Sequence, residues 1–204
     1  MPISHKHRCI FVHIPKTGGT SVEQALGIGK IDHDAMRSHD IEIFDKISYA
    51  PQHFTASMLK EHEKIKEHWF DYYRFSIVRN PYERVLSEFF WHKYGTSKLV
   101  RFNHTLFKEF LNNYFDAIDT DHKIPQTSFI YDENHELMVD KVFRFEEIKE
   151  IGEYLSKELG TIVKIPKIQT SGNKKRYLEN LDADDKHIIQ AIYAKDFELL
   201  RYPL

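Results

Sequence analysis

Apolar residues gather in three short runs along the chain, each followed by a stretch with helical spacing. Residues 8–14 (RCIFVHI) and 73–78 (YRFSIV) are rich in β-branched and aromatic side chains and predict buried strands, as do residues 139–145. After the first run, Val22, Ala25 and Leu26 share one face of a helix that starts at Gly19. After the second, Val85, Leu86, Phe89 and Phe90 mark the core-facing side of a helix that starts at Pro81, with Ser87 off that side. A closing helix is predicted over about Ala183 to Leu200. Strands alternating with helices imply crossover units and a parallel sheet. The irregular stretches fall at residues 27–47, 94–104 and 116–125, and nothing divides the chain, so one domain over 1–204 is expected.

Composition narrows the class of partner. The chain has 204 residues, 41% of them hydrophobic, which is enough for a core of ordinary size. A formal charge of −2 gives no general attraction to nucleic acid or membrane, so neither is expected as a partner. The one cysteine, Cys9, sits inside the first predicted strand and reads as a buried thiol of a reducing compartment. No apolar run reaches the roughly 20 residues of a membrane span. The first strand begins within ten residues of Met1, and the expectation is a cytoplasmic protein. Oligomeric state is left open.

The chemistry concentrates between the first strand and its helix, in the segment HIPKTGGTSV (13–22). Gly18 and Gly19 allow a sharp turn and close backbone approach, and the N–H groups that open the helix can face an oxyanion. Lys16 adds a mobile positive charge, while Thr17, Thr20 and Ser21 add hydroxyls. The lysine precedes both glycines, the reverse of the order in a magnesium-nucleotide loop, GxxxxGK[ST].

A second motif follows the second strand: RNPYERVLSEF, residues 79–89. Asn80 can cap the helix that Pro81 begins, with Glu83 completing a capping box. Arg79 then stands at the carboxyl end of a strand, where open α/β sheets bind ligands. Arginine there recruits an anion, where a metal-dependent kinase would place an aspartate. Ser87 lies two turns along the helix. Thirteen histidines include no HExxH or paired-cysteine spacing, and no metal is expected.

PKTGGTS and RNPYERVLSEF together resemble the two nucleotide-binding motifs of sulfotransferases, and the resemblance extends over nearly the whole chain, closest to the heparan 2-O and chondroitin carbohydrate branch in a short bacterial or viral form. It implies a P-loop NTPase-like three-layer α/β fold with a central parallel sheet flanked by helices. It also implies 3′-phosphoadenosine 5′-phosphosulfate (PAPS) as cosubstrate and a hydroxyl acceptor such as a glycan or other small molecule. The loop from Lys16 through Thr17, Gly18, Gly19, Thr20 and Ser21 would hold the 5′-phosphosulfate, and Lys16 would stabilise the leaving oxygen. Arg79 and Ser87 would grip the 3′-phosphate, with Lys174, Lys175 and Arg176 folding over the nucleotide. QHFTASML (52–59) resembles the family's histidine segment, which makes His53 the candidate base. His13 is read as structural, Glu88 as solvated with an acceptor-site carboxylate as the alternative, and His92 as outward-facing. The alternatives are a phosphotransferase with a degenerate loop and a non-catalytic nucleotide-binding protein.

Overall fold

The computed structural model describes residues 2–28, 42–44, 47–94, 101–114, 120–166 and 175–204. Its elements in chain order begin with strands β1 (Ile3–Ser4) and β2 (Cys9–Val12), then helix α1 (Gly19–Ala25) and strands β3 (Glu42–Phe44) and β4 (Ile47–Tyr49). Helix α2 (Ala56–Glu61), strand β5 (Tyr73–Val78) and helices α3 (Pro81–Tyr94), α4 (His104–Tyr114) and α5 (Thr127–Ile130) follow. The chain continues through strand β6 (Lys141–Arg144) to α6 (Ile148–Glu158), α7 (Lys175–Leu178), α8 (Ala183–Ile192) and α9 (Ala194–Leu199).

The main sheet has the order β1-β2-β5-β6. β2 pairs parallel with β5, Phe11 opposite Phe75, and β5 parallel with β6, Ile77 opposite Phe143. The expected parallel sheet is present, with one departure: β1 pairs antiparallel with β2. The four residues between β1 and β2 turn back directly, and such a short connection permits only an antiparallel pair.

Side chains of a strand alternate between faces, and here both faces are covered. Cys9 and Phe11 of β2 pack with Phe75 and Ile77 of β5, under Val22 of α1 and Ile151 and Leu155 of α6. Ile10, Val12 and Val78 face the other way, toward Leu59 of α2, Leu86 and Phe89 of α3, and Ile189 and Phe197 of the closing segment. Cys9 is buried, and burial pushes its thiol up to about 12, which leaves it unreactive at neutral pH.

Two expectations are corrected. Part of the stretch read as irregular, residues 27–47, forms the first strand of a hairpin, β3 with β4, which pair only with each other. The single closing helix is two helices, because Tyr193 leaves helical geometry (φ −112°, ψ 30°) between α8 and α9. Its ring is buried and its hydroxyl donates to the carbonyl oxygen of Lys123, an anchor that a continuous helix would have to give up. Among the described residues, no helix is long and apolar enough to cross a membrane.

Candidate active site

The loop after β2 leaves the sheet at its carboxyl end and turns through two left-handed residues, Lys16 (φ 69°) and Gly18 (φ 86°), before α1 begins. A side chain at Gly18 would be strained at that φ, and its Cβ would meet the Phe145 ring at 2.7 Å. A Cβ at Gly19 would stand 2.1 Å from the His13 ring. Both glycines are therefore required by close approach. The Thr17 hydroxyl donates to the carbonyl oxygen of Ile14 at 2.8 Å and is fully buried, so it braces the loop, where the sequence suggested a donor to an oxyanion. Thr20 is exposed at the start of α1, and Ser21 is buried in its first turn.

The Lys16 ammonium lies 4.6 Å from the centroid of the Trp91 ring. Burial pushes its pKa down to about 8, the Glu88 carboxylate opposes that shift, and the guanidinium groups of Arg79 and Arg84 reinforce it. A lysine so placed gains from an arriving anion, which would restore its full charge.

Arg79 follows β5 directly and is buried. Its Nη2 and Nε donate to Glu83 Oε2 at 2.9 and 3.3 Å, and its Nη1 donates to the carbonyl oxygen of Lys16 at 3.4 Å. The guanidinium also sits 4.4 Å over Phe145, the ring that packs on Gly18. Gln126 clamps its backbone, accepting from the Arg79 N–H and donating to the Arg79 carbonyl, both at 2.8 Å. The two motifs thus meet at one end of the sheet. The capping box expected at Asn80 is not formed as read: Asn80 Oδ1 accepts from the Tyr82 N–H at 3.0 Å, but Glu83 is drawn to Arg79, and Glu146 accepts the Asn80 N–H at 2.8 Å instead.

Ser87 lies on α3 and is buried. Glu88, read from the sequence as solvated, is buried as well, because residues 121–124 fold across α3 and bring His122 Nδ1 to within 2.9 Å of Glu88 Oε2. His92 is exposed, as expected. Lys174 lies outside the described residues, as do the side chains of Lys175 and Arg176. The helix they open, α7, docks on α3 through Tyr177, whose ring centroid is 5.0 Å from that of Phe90.

His53 closes a single helical turn, Pro51–His53, ahead of Thr55, which caps α2 by accepting from the Met58 N–H at 3.2 Å. It is 5% exposed and its Nδ1 lies 2.9 Å from Asp121 Oδ2. Burial pushes its pKa down to about 4; the Asp121 hydrogen bond opposes this, and His13 and His122 add to it. Burial also raises the Asp121 carboxyl, but the hydrogen bond and charge of His53, His122 and the Ala50 N–H outweigh it and hold Asp121 below its ordinary value. His13 is likewise buried, bonded through Nδ1 to Glu23 Oε1 at 2.9 Å.

Arg84 was missed by motif reasoning. It is buried and spends its guanidinium on three backbone carbonyls, Pro15 at 3.1 Å, Ile124 at 3.0 Å and His122 at 3.0 Å. Trp91, Asp121, His122 and Gln126 were missed too. The one signal available was the position of Arg84 and Trp91 on the motif's own helix.

Two sets of side chains among the described residues are spaced to hold a cation: His53, Asp121 and His122, and His104, Asp182 and Asp185. Both are tied together internally by hydrogen bonds, and Lys108 Nζ already stands 2.8 Å from Asp182.

A mostly parallel α/β sheet with a glycine turn and helix start at its carboxyl end, and an arginine at the end of the next strand, places these residues where open α/β sheets bind ligands. The model of the sulfotransferase family matches residues 1–203, and the chain belongs to that family. No curated protein and no solved structure gives a significant match.

Proposed function

We propose that this protein is a PAPS-dependent sulfotransferase, a single domain over 1–204 of the P-loop NTPase-like kind, acting on a hydroxyl acceptor that is most simply a carbohydrate. The observation that carries the reading is the meeting of Arg79 with the Lys16 loop, guanidinium to carbonyl at 3.4 Å, at the carboxyl ends of adjacent parallel strands. One strand end supplies a lysine and helix N–H groups for a phosphosulfate, and the next supplies an arginine for a second phosphate, at the residue where a metal-dependent kinase would carry an aspartate.

In this reading the N–H groups of Gly18, Gly19 and Thr20 hold the 5′-phosphosulfate, with Ser21 contributing its hydroxyl, since its N–H donates to the Gly18 carbonyl at 3.1 Å. Thr17 acts through its backbone, since its hydroxyl is committed to Ile14. Lys16 offsets the charge that builds on the bridging oxygen during transfer, the electrostatic contribution that dominates such reactions. Arg79 and Ser87 bind the 3′-phosphate, and Lys174, Lys175 and Arg176 close over the nucleotide. The proton of the acceptor is taken by the histidine cluster to which His53 belongs; with its pKa near 4, His53 is uncharged at neutral pH and keeps a lone pair on Nε2. A buried, unpaired Cys9 supports a cytoplasmic site of action.

Calorimetry with adenosine 3′,5′-bisphosphate, in EDTA and in magnesium, tests the reading. Binding that survives EDTA and exceeds that of ATP is expected. A strict magnesium requirement or equal affinity for ATP would favour a phosphotransferase.

A further inference from the structure

Three imidazole–carboxylate pairs stand in a row beside the phosphate loop: His13 with Glu23, His53 with Asp121 and His122 with Glu88. Each is joined through Nδ1 at 2.9 Å. The rings touch in order, with centroids 4.8 Å apart from His13 to His53 and 5.3 Å apart from His53 to His122. A carboxylate can only accept hydrogen bonds, so each Nδ1 carries a proton, and in the neutral ring the lone pair is on Nε2.

The three differ in what surrounds Nε2. That of His13 is closed off by Gly19, whose Cβ position is 2.1 Å away. That of His53 lies 3.3 Å from the Gln52 amide nitrogen, on a residue that is 5% exposed. The nearest of these partners to His122 Nε2 is Asp121 Oδ1 at 3.9 Å, beyond hydrogen-bond reach, and the His122 side chain is 18% exposed. His122 also lines a groove of about 610 Å³ between α3 and α4. Trp91, in the same groove, carries Lys16 on its ring at 4.6 Å and lies tilted against His122 with centroids 5.1 Å apart, so the lysine and this imidazole both contact one indole ring.

We propose that His122 is the group that takes the proton of the acceptor hydroxyl, with Glu88 as its positioning residue and the α3–α4 groove as the acceptor's bed. The proposal rests on the sulfuryl-transfer reading and names the member of the histidine cluster that meets the acceptor. The acceptor oxygen bonds to sulfur as the bond from sulfur to the bridging phosphate oxygen breaks, and the electron pair of the broken bond stays on that oxygen, whose charge Lys16 offsets. The hydroxyl proton passes to Nε2 of His122. Glu88 and Asp121 balance the resulting imidazolium until the proton leaves to water through the groove.

The test compares the full chain with His122→Ala and His122→Gln, using PAPS with desulfated heparin and 4-nitrophenol as probe acceptors. Turnover should fall about 10²- to 10⁴-fold in both variants, with bisphosphate affinity retained and with partial rescue of the alanine variant by added imidazole. The glutamine amide can still donate to Glu88, which guards against a simple folding defect. Carbethoxylation by diethyl pyrocarbonate, mapped by peptide mass, is a second readout: His122 should react, and His13 and His53 should not. A glutamine variant within about threefold of wild type, or an unreactive His122, overturns this inference alone. A wild-type protein that neither binds the bisphosphate nor consumes PAPS overturns the donor reading and this inference with it.

Discussion

Arg84 Nε donates to the carbonyl oxygen of Pro15 at 3.1 Å, so the helix of the second motif holds the loop of the first. The same guanidinium reaches Ile124 and His122, which fixes the segment that carries the histidine of the groove. One buried side chain therefore ties the Lys16 loop, the second motif's helix and the turn at residues 121–124 into a single arrangement.

Arg84→Ala leaves two buried carbonyl oxygens, those of Pro15 and Ile124, and the partly buried one of His122 without a donor. Each orphaned group costs about 1–3 kcal/mol, so a loss of about 3 kcal/mol or more is expected in urea unfolding. A loss below about 1 kcal/mol would show that water or a local shift replaces the guanidinium.

Arg79 raises a question of role, since it is already paired with Glu83. Arg79→Ala should weaken binding of adenosine 3′,5′-bisphosphate by roughly 1.5–3 kcal/mol, and it should also destabilise the fold by leaving the Glu83 carboxylate buried and unmatched. Adding Glu83→Gln separates the two effects. The double variant should regain stability and not affinity; recovery of both would make Arg79 a purely structural residue.

Lys16 gives a signed protonation test. With a pKa near 8 it is about half charged at pH 8, and a bound anion favours the charged form, so nucleotide binding at that pH should take up about half a proton. Calorimetry in Tris and in HEPES, whose ionisation enthalpies differ, measures the uptake. The uptake should vanish in Lys16→Met; an identical value in the variant would assign it elsewhere.

His53 makes stability depend on pH. Its pKa is about 4 in the folded chain against roughly 6.5 when unfolded, so the unfolded state binds the extra proton between those values. Stability is unaffected above about pH 6.5 and falls as pH drops toward 4, by on the order of 3 kcal/mol from this group. Melting curves over that range should be flatter for His53→Asn. An unchanged slope would mean that the ring is protonated without penalty.

The readings that held were the local ones. The β-branched runs of β2, β5 and β6 specify strands by themselves, and the positions of Lys16, Gly18, Gly19 and Arg79 follow from a strand ending and a helix beginning within a few residues. Tertiary structure decided what those residues meet. Glu88 looks solvated from its place on a helix and is buried because residues 121–124 cross it; Thr17 looks like a ligand donor and is spent on Ile14, three residues back. The histidine array depends on contacts 34 and 68 residues apart, His122 with Glu88 and His53 with Asp121, and Arg84 reaches 69 residues back to Pro15. Periodicity reports which face of an element is apolar, and so the sequence determined the three parallel strands, the loop and the arginine at the strand end. Which polar groups share a pocket depends on how the elements cross, and only the folded chain could bring His122 and Lys16 each against the Trp91 ring.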